Sequence, residues 1–207
     1  MSAGRFISLE GGEGAGKSTQ AARLAEALEA RGLEILVTRE PGGSEGAEAI
    51  RALLLGGEVA RWSPHSEALL FAAARADHVE KRIRPALEAG MWVICDRFVD
   101  STRAYQGAQG IDDAAILALH GFGAKGLLPD RTLVLEIGHD EGAARAGARD
   151  GGANDRFQLR GPEFHADVAA AFHHIAEREG DRVRLVDATG TAEAVTARLL
   201  AELADLL

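Results

Sequence analysis

Gly11-Gly12-Glu13-Gly14-Ala15-Gly16-Lys17-Ser18 fits the spacing G-x-x-x-x-G-K-[ST]. Each residue type in that pattern has a chemical reason. Glycines let backbone N–H groups turn inward and approach phosphate oxygens, and the helix N-terminus that follows adds partial positive charge. Lys17 can carry a full charge to the β- and γ-phosphates, and the Ser18 hydroxyl suits Mg²⁺. In a chain with this much glycine and so little lysine, chance matches should number roughly 0.003. With Thr19 next in line, Gly11 through Thr19 is read as an ATP-binding loop.

A second group of residues suits anions and metal. Asp96 closes the apolar run Trp92-Val93-Ile94-Cys95, which places an acid at a strand end, where it can serve Mg²⁺. Arg97 follows directly, on the edge of a parallel sheet where ligands bind. Arg39 lies just past another apolar run, and Arg51 and Arg75 fall in helical stretches. Arg149, Arg156 and Arg160 punctuate a glycine-rich stretch. Arginine grips phosphate with a planar fork. The chain holds 20 Arg against 3 Lys and has net charge −9, so these arginines point to anionic ligands rather than bulk charge. The seven histidines show no metal-ligand spacing and read as surface or packing residues, and Cys95 reads as an inert buried thiol.

These residues need elements to hold them. Short apolar runs at 6–9, 35–37, 92–95, 132–135 and 183–186 read as strands. Helical spacing covers 17–31, 47–55, 63 to about 88 with an adjustment near Pro85, 113–122, 141–149, 163–179 and 192–206. Strands alternating with helices predict an α/β fold: a five-stranded parallel sheet with helices on both faces. At 207 residues the chain is expected to form one domain over 1–207, with the segment of about 149–161 as a mobile lid. One cysteine excludes an internal disulfide, and acidic balance argues against non-specific nucleic-acid binding. No apolar run approaches the ~20 residues of a membrane span, and no signal-peptide pattern leads the chain. The expected location is the cytoplasm. No lysine follows an asparagine, which removes the guanine-reading N-K-x-D of switch GTPases.

The order of motifs resembles the bacterial thymidylate kinases along nearly the whole chain. The carrying segments are FISLEGGEGAGKSTQ (6–20), TREPGGS (38–44), IRALLL (50–55), LLFAAARADHV (69–79), WVICDRF (92–98), DSTRAYQG (100–107), LPDRTLVLEI (128–137), NDRF (154–157) and VDATG (186–190). The resemblance implies a P-loop nucleoside monophosphate kinase fold, transfer from ATP to dTMP giving dTDP with Mg²⁺, and a cytoplasmic homodimer. Carried over residue by residue, Phe71 would stack on thymine and Arg75 would donate to its O4. Ser101 and Gln106 would face the base, Tyr105 the deoxyribose, and Glu13 the 3′-hydroxyl. Arg39, Arg51 and Arg97 would hold the dTMP phosphate, and Ser18 and Asp96 the Mg²⁺. Lys17, Asp96, Arg97 and Arg149 would form the catalytic set, with Arg149 reaching the transferring group from the lid. Phe98, Ser44, Ala72 and Gln158 depart from the usual family residues. Another nucleoside or nucleotide kinase, and a nucleotide-binding regulator without turnover, are the competing readings.

Overall fold

The computed structural model describes residues 4–138, 142 and 156–207. Apart from Gly142, which is helical, the helix expected over 141–149, Arg149 included, lies outside the described residues. Five strands form one sheet: β1 (Phe6–Gly11), β2 (Ile35–Arg39), β3 (Trp92–Asp96), β4 (Arg131–Glu136) and β5 (Val183–Asp187). Their order is β2-β3-β1-β4-β5, and every pairing is parallel. The central strand β1 is buried along its whole length, as a strand covered on both faces must be.

Eight α-helices surround the sheet among the described residues: α1 (Lys17–Glu29), α2 (Glu45–Leu55), α3 (Pro64–His78), α4 (Arg84–Glu88), α5 (Val99–Tyr105), α6 (Asp113–Gly123), α7 (Pro162–Arg178) and α8 (Ala192–Ala201). On α1, Ala21, Leu24, Ala25 and Leu28 turn inward and join Ile7, Leu9, Ile94 and Leu133 in one core cluster. Ser44, Ser63, Asp112 and Thr191 cap α2, α3, α6 and α8 through side-chain oxygens, the role their types favour at helix starts.

Two departures from the sequence reading have physical causes. The long helix expected from Ser63 to Glu88 is broken by a π-helical turn at Val79–Ile83. Pro85 lacks an N–H and would clash with the carbonyl of a regular α-turn, and the wider turn precedes it. Helix α5 is not visible as a pattern in the sequence. Six of its seven residues are buried, polar ones included, so no apolar stripe marks it. Its N-terminus is capped from another strand: Glu10 of β1 accepts from Phe98 N at 2.7 Å and Ser101 N at 3.3 Å. Its far side is fixed by buried Asp100, which pairs with Arg103 at 3.0 Å and Arg182 at 2.7 Å and accepts from Thr132 Oγ1 at 2.9 Å.

Candidate active site

The sheet reverses strand order on either side of β1, and the crevice at such a switch point is where α/β sheets take ligands. The loop Gly12–Gly16 sits there. Gly11 adopts φ +126°, and a Cβ would run into the Leu135 carbonyl; Gly16, at φ +87°, starts α1 with no side-chain cap. The first N–H groups of α1 are therefore left for an outside acceptor. Lys17 folds back across the loop, its Nζ donating to Gly12 O at 2.7 Å and Gly11 O at 3.2 Å. Burial pushes its ammonium down to about 8, and Arg97 nearby adds to the shift.

Beside the loop, Ser18 Oγ donates to Asp96 Oδ2 at 2.6 Å. Arg97 takes a left-handed backbone, φ 70°, which aims its guanidinium back over the loop. That guanidinium donates to Gly11 O at 3.1 Å, Ser101 Oγ at 3.0 Å, Glu13 Oε1 at 2.9 Å and Tyr105 OH at 3.2 Å. Burial alone would raise the Glu13 carboxyl, but Arg97 and Lys17 overcome it and hold the group at about 2. Burial raises Tyr105 to about 12 and Glu10 to about 7.

A cleft of about 240 Å³ opens from this loop. It is lined by Lys17 and Ser18 at one end, by Arg39, Arg51 and Arg97 along its wall, and by Phe71, Arg75, Tyr105 and Gln106 farther in. Arg39 rests on Glu48 at 2.9 Å and Arg51 on Pro41 O at 2.6 Å. Arg75 is buried: Nε donates to Glu40 at 2.8 Å and Nη2 to Thr102 Oγ1 at 2.8 Å. Glu40 is also bonded by His78, so the wall behind Arg75 is fixed. Phe71 is half-buried, 5.7 Å from the ring of Phe157.

The family model described as thymidylate kinase matches residues 9–199. The chain belongs to the thymidylate kinase family. A thymidylate kinase of Rhizorhabdus wittichii is 58% identical over 205 residues, 99% of each chain, and one of Caulobacter vibrioides is 52% identical over 202 residues, 96% of this chain and 95% of that one. The crystal structure of thymidylate kinase from Ehrlichia chaffeensis superposes with TM-score 0.79 at 32% identity, covering 97% of this chain and 98% of that one. The chain is thus a phosphotransferase on a P-loop fold, as its sequence led us to expect.

Of the residues singled out in sequence, Glu13, Gly14, Gly16, Lys17, Ser18, Arg39, Arg51, Phe71, Arg75, Asp96, Arg97, Ser101, Tyr105 and Gln106 share the one cleft. Gly11 and Gly12 flank it beside β4, Ala15 is buried beneath the loop, and Thr19 is exposed on the first turn of α1. Arg156 needs a correction. It was grouped in sequence with the arginines that point to anionic ligands, yet it is fully buried, bonded to Glu67, Leu54 O and Val59 O, with its guanidinium 4.5 Å over Phe157. Arg160 donates to Gln109 at 3.0 Å and stacks over Phe164 at 4.5 Å. Both are pinned by carbonyl, carboxylate and aromatic partners that only tertiary structure supplies. Residues missed in sequence are Glu40, Thr102, Phe157 and Glu10. All four lay within quoted segments (6–20, 38–44, 100–107 and 154–157), so a signal for them was present, though no role was drawn from it. The departures are mild: Phe98 is buried edge-on to Phe6 at 4.8 Å, and Ser44 keeps a hydroxyl that caps α2 and donates to Asp77 at 2.6 Å. No helix of the described residues is long and apolar enough to cross a membrane.

Proposed function

We propose that the protein moves the γ-phosphoryl group of ATP directly onto the phosphate of dTMP, giving ADP and dTDP. The observation that carries this reading is the single cleft that joins the phosphate loop to an arginine-lined wall and an aromatic, hydrogen-bonding end. Direct transfer between phosphates asks little covalent chemistry of a protein; it asks for in-line positioning and neutralised charge. Loop N–H groups and Lys17 would hold the donor phosphates. Arg39, Arg51 and Arg97 would release Glu48, Pro41 O and Glu13 to grip the acceptor phosphate. Phe71 offers a face for the base, and Arg75, which can only donate, suits the O4 of thymine. Tyr105 would pack on the sugar, with Ser101 and Gln106 beside it and Glu13 near its 3′-hydroxyl. Arg149, assigned through the family resemblance alone, would neutralise the transferring group.

The Ser18 hydroxyl and Asp96 carboxylate, 2.6 Å apart, are hard oxygen donors of the kind that holds Mg²⁺ with substrate phosphates completing the shell. The ion would supply charge neutralisation on the phosphates. Homodimer formation finds support in Leu53 on α2, Leu69 on α3 and Phe122 on α6, which leave apolar side chains exposed on helices packed together. A cytoplasmic site agrees with all of this. The deciding assay couples ADP release to dTMP, dUMP, dCMP and thymidine in turn. Turnover with dTMP well above the others is expected, and thymidine turning over in preference to dTMP would refute the reading.

A further inference from the structure

Glu67 on α3 is fully buried, a rare place for a carboxylate unless it is paired. Its Oε1 accepts from Gln106 Nε2 at 2.7 Å and from Gln109 Nε2 at 2.8 Å. Its Oε2 accepts from Arg156 Nη2 and faces Arg160 Nη2 at 3.6 Å. A carboxylate flanked by donors can only accept. The Gln106 amide therefore has one orientation: nitrogen on Glu67, carbonyl turned away. Gln106 lines the cleft, and its Oε1 accepts no hydrogen bond from any described residue. Arg75, on the same helix as Glu67, has committed Nε and Nη2 and leaves Nη1 without a hydrogen bond among the described residues. One acceptor and one donor are thus left over in the cleft that also holds Phe71.

We infer that Glu67 is a positioning residue for base selection: by fixing the Gln106 amide, it makes Gln106 present only an oxygen to the pyrimidine edge. This rests on the dTMP reading above. Thymine carries an N3–H donor beside its O4 acceptor, which complements Gln106 Oε1 and Arg75 Nη1. A cytosine edge carries an unprotonated N3 beside an amino donor, and it mispairs with both groups. An amide free to turn over would offer its N–H to that N3 and accept cytosine. Selectivity thus depends on a side chain that never touches the base.

The test compares kcat/KM for dTMP and 5-methyl-dCMP, which share the methyl group and differ only in the polarity of the edge. Glu67→Gln removes the acceptor-only partner. It is expected to lower the dTMP preference about tenfold or more, through a fall in KM for 5-methyl-dCMP, while kcat for dTMP holds. In the double variant Glu67→Gln with Gln106→Glu, the amide at 67 donates to the carboxylate at 106, which again offers only oxygen, so the preference returns. A merely structural loss would weaken both substrates alike and would not be rescued. An unchanged preference in Glu67→Gln overturns the inference while leaving the function intact. Should that variant not fold, Gln106→Met decides, since Glu67 keeps Gln109 and Arg156. It should lose the preference by a similar factor, and a full preference overturns the positioning role. A wild type that turns over dTMP with no preference over 5-methyl-dCMP overturns the base reading itself, a result distinguishable from either variant outcome.

Discussion

Lys17 should make the ligand-free protein less stable than it would be without it. Lys17 is 8% exposed, and its ammonium donates to two loop carbonyls. Its fall from the ordinary 10.5 to about 8 corresponds to about 3 kcal/mol of penalty for holding the charge in the folded state. Below pH 8 the folded chain bears that penalty in full. Between about 8 and 10.5 the unfolded chain keeps the proton that the folded chain has released, so stability rises with pH across that window. Lys17→Met removes the charge and also two carbonyl hydrogen bonds worth ~1 kcal/mol each, which leaves a net gain of about 1 kcal/mol at pH 7. For a chain of this size, that is a rise in Tm of roughly 2–4 °C. Scanning calorimetry without nucleotide, at pH 7 and pH 10, measures it. The variant should melt higher at pH 7, the gap should shrink at pH 10, and turnover should fall by orders of magnitude. A variant that melts at or below wild type at pH 7, or a gap that does not change with pH, would refute the account of Lys17.

Three further outcomes follow from the proposed roles. Arg75→Ala should narrow the preference for dTMP over dCMP and cost about 3–5 kcal/mol of stability, because Glu40 stays buried without its arginine; parallel kinetics and urea unfolding measure the two effects. Arg149→Ala should lower kcat far more than it raises KM for dTMP, the pattern of an interaction made only in the transition state, and steady-state kinetics would expose the opposite split. Glu10 has its folded carboxyl raised by burial from 4.5 to about 7, so the folded chain gains a proton first, and wild-type stability should drop by about 3 kcal/mol as pH rises from 4.5 through 7. Glu10→Gln should flatten that slope in urea unfolding at pH 5 and pH 8, and an unaltered slope would assign the titration elsewhere.

The framework was legible because it follows local rules. All five strands were visible as apolar runs, and the helix starts at Ser63 and Lys17 carried their capping and motif signals. The phosphate loop was legible because its chemistry is contained in consecutive residues. The rest was hidden for one physical reason: the partner lies far away in sequence. Helix α5 takes its cap from Glu10, 88 positions earlier than Phe98, so no local capping residue announces it. Arg156 read as one of the loop arginines awaiting an anionic ligand, because its partner Glu67 lies 89 positions away. That Phe71 and Arg75 can face one cleft was legible from their i, i+4 spacing, while their role toward a base came from the family resemblance alone; that Glu40 and Thr102 orient Arg75 was not legible.

Strands β1 and β3 lie side by side with Leu9 opposite Asp96, and Arg97 N donates to Leu9 O at 2.9 Å. The phosphate loop grows from the end of the first strand, and Arg97, proposed to grip the acceptor phosphate, from the end of the second. Neighbouring strands in a sheet sit ~4.8 Å apart and are locked by a ladder of backbone bonds. The gauge between giver and receiver is therefore ruled by main-chain geometry, which no side-chain substitution easily changes. Peripheral helices can drift and the far end of the cleft can be relined, while the spacing between the phosphate loop and Arg97 stays the same.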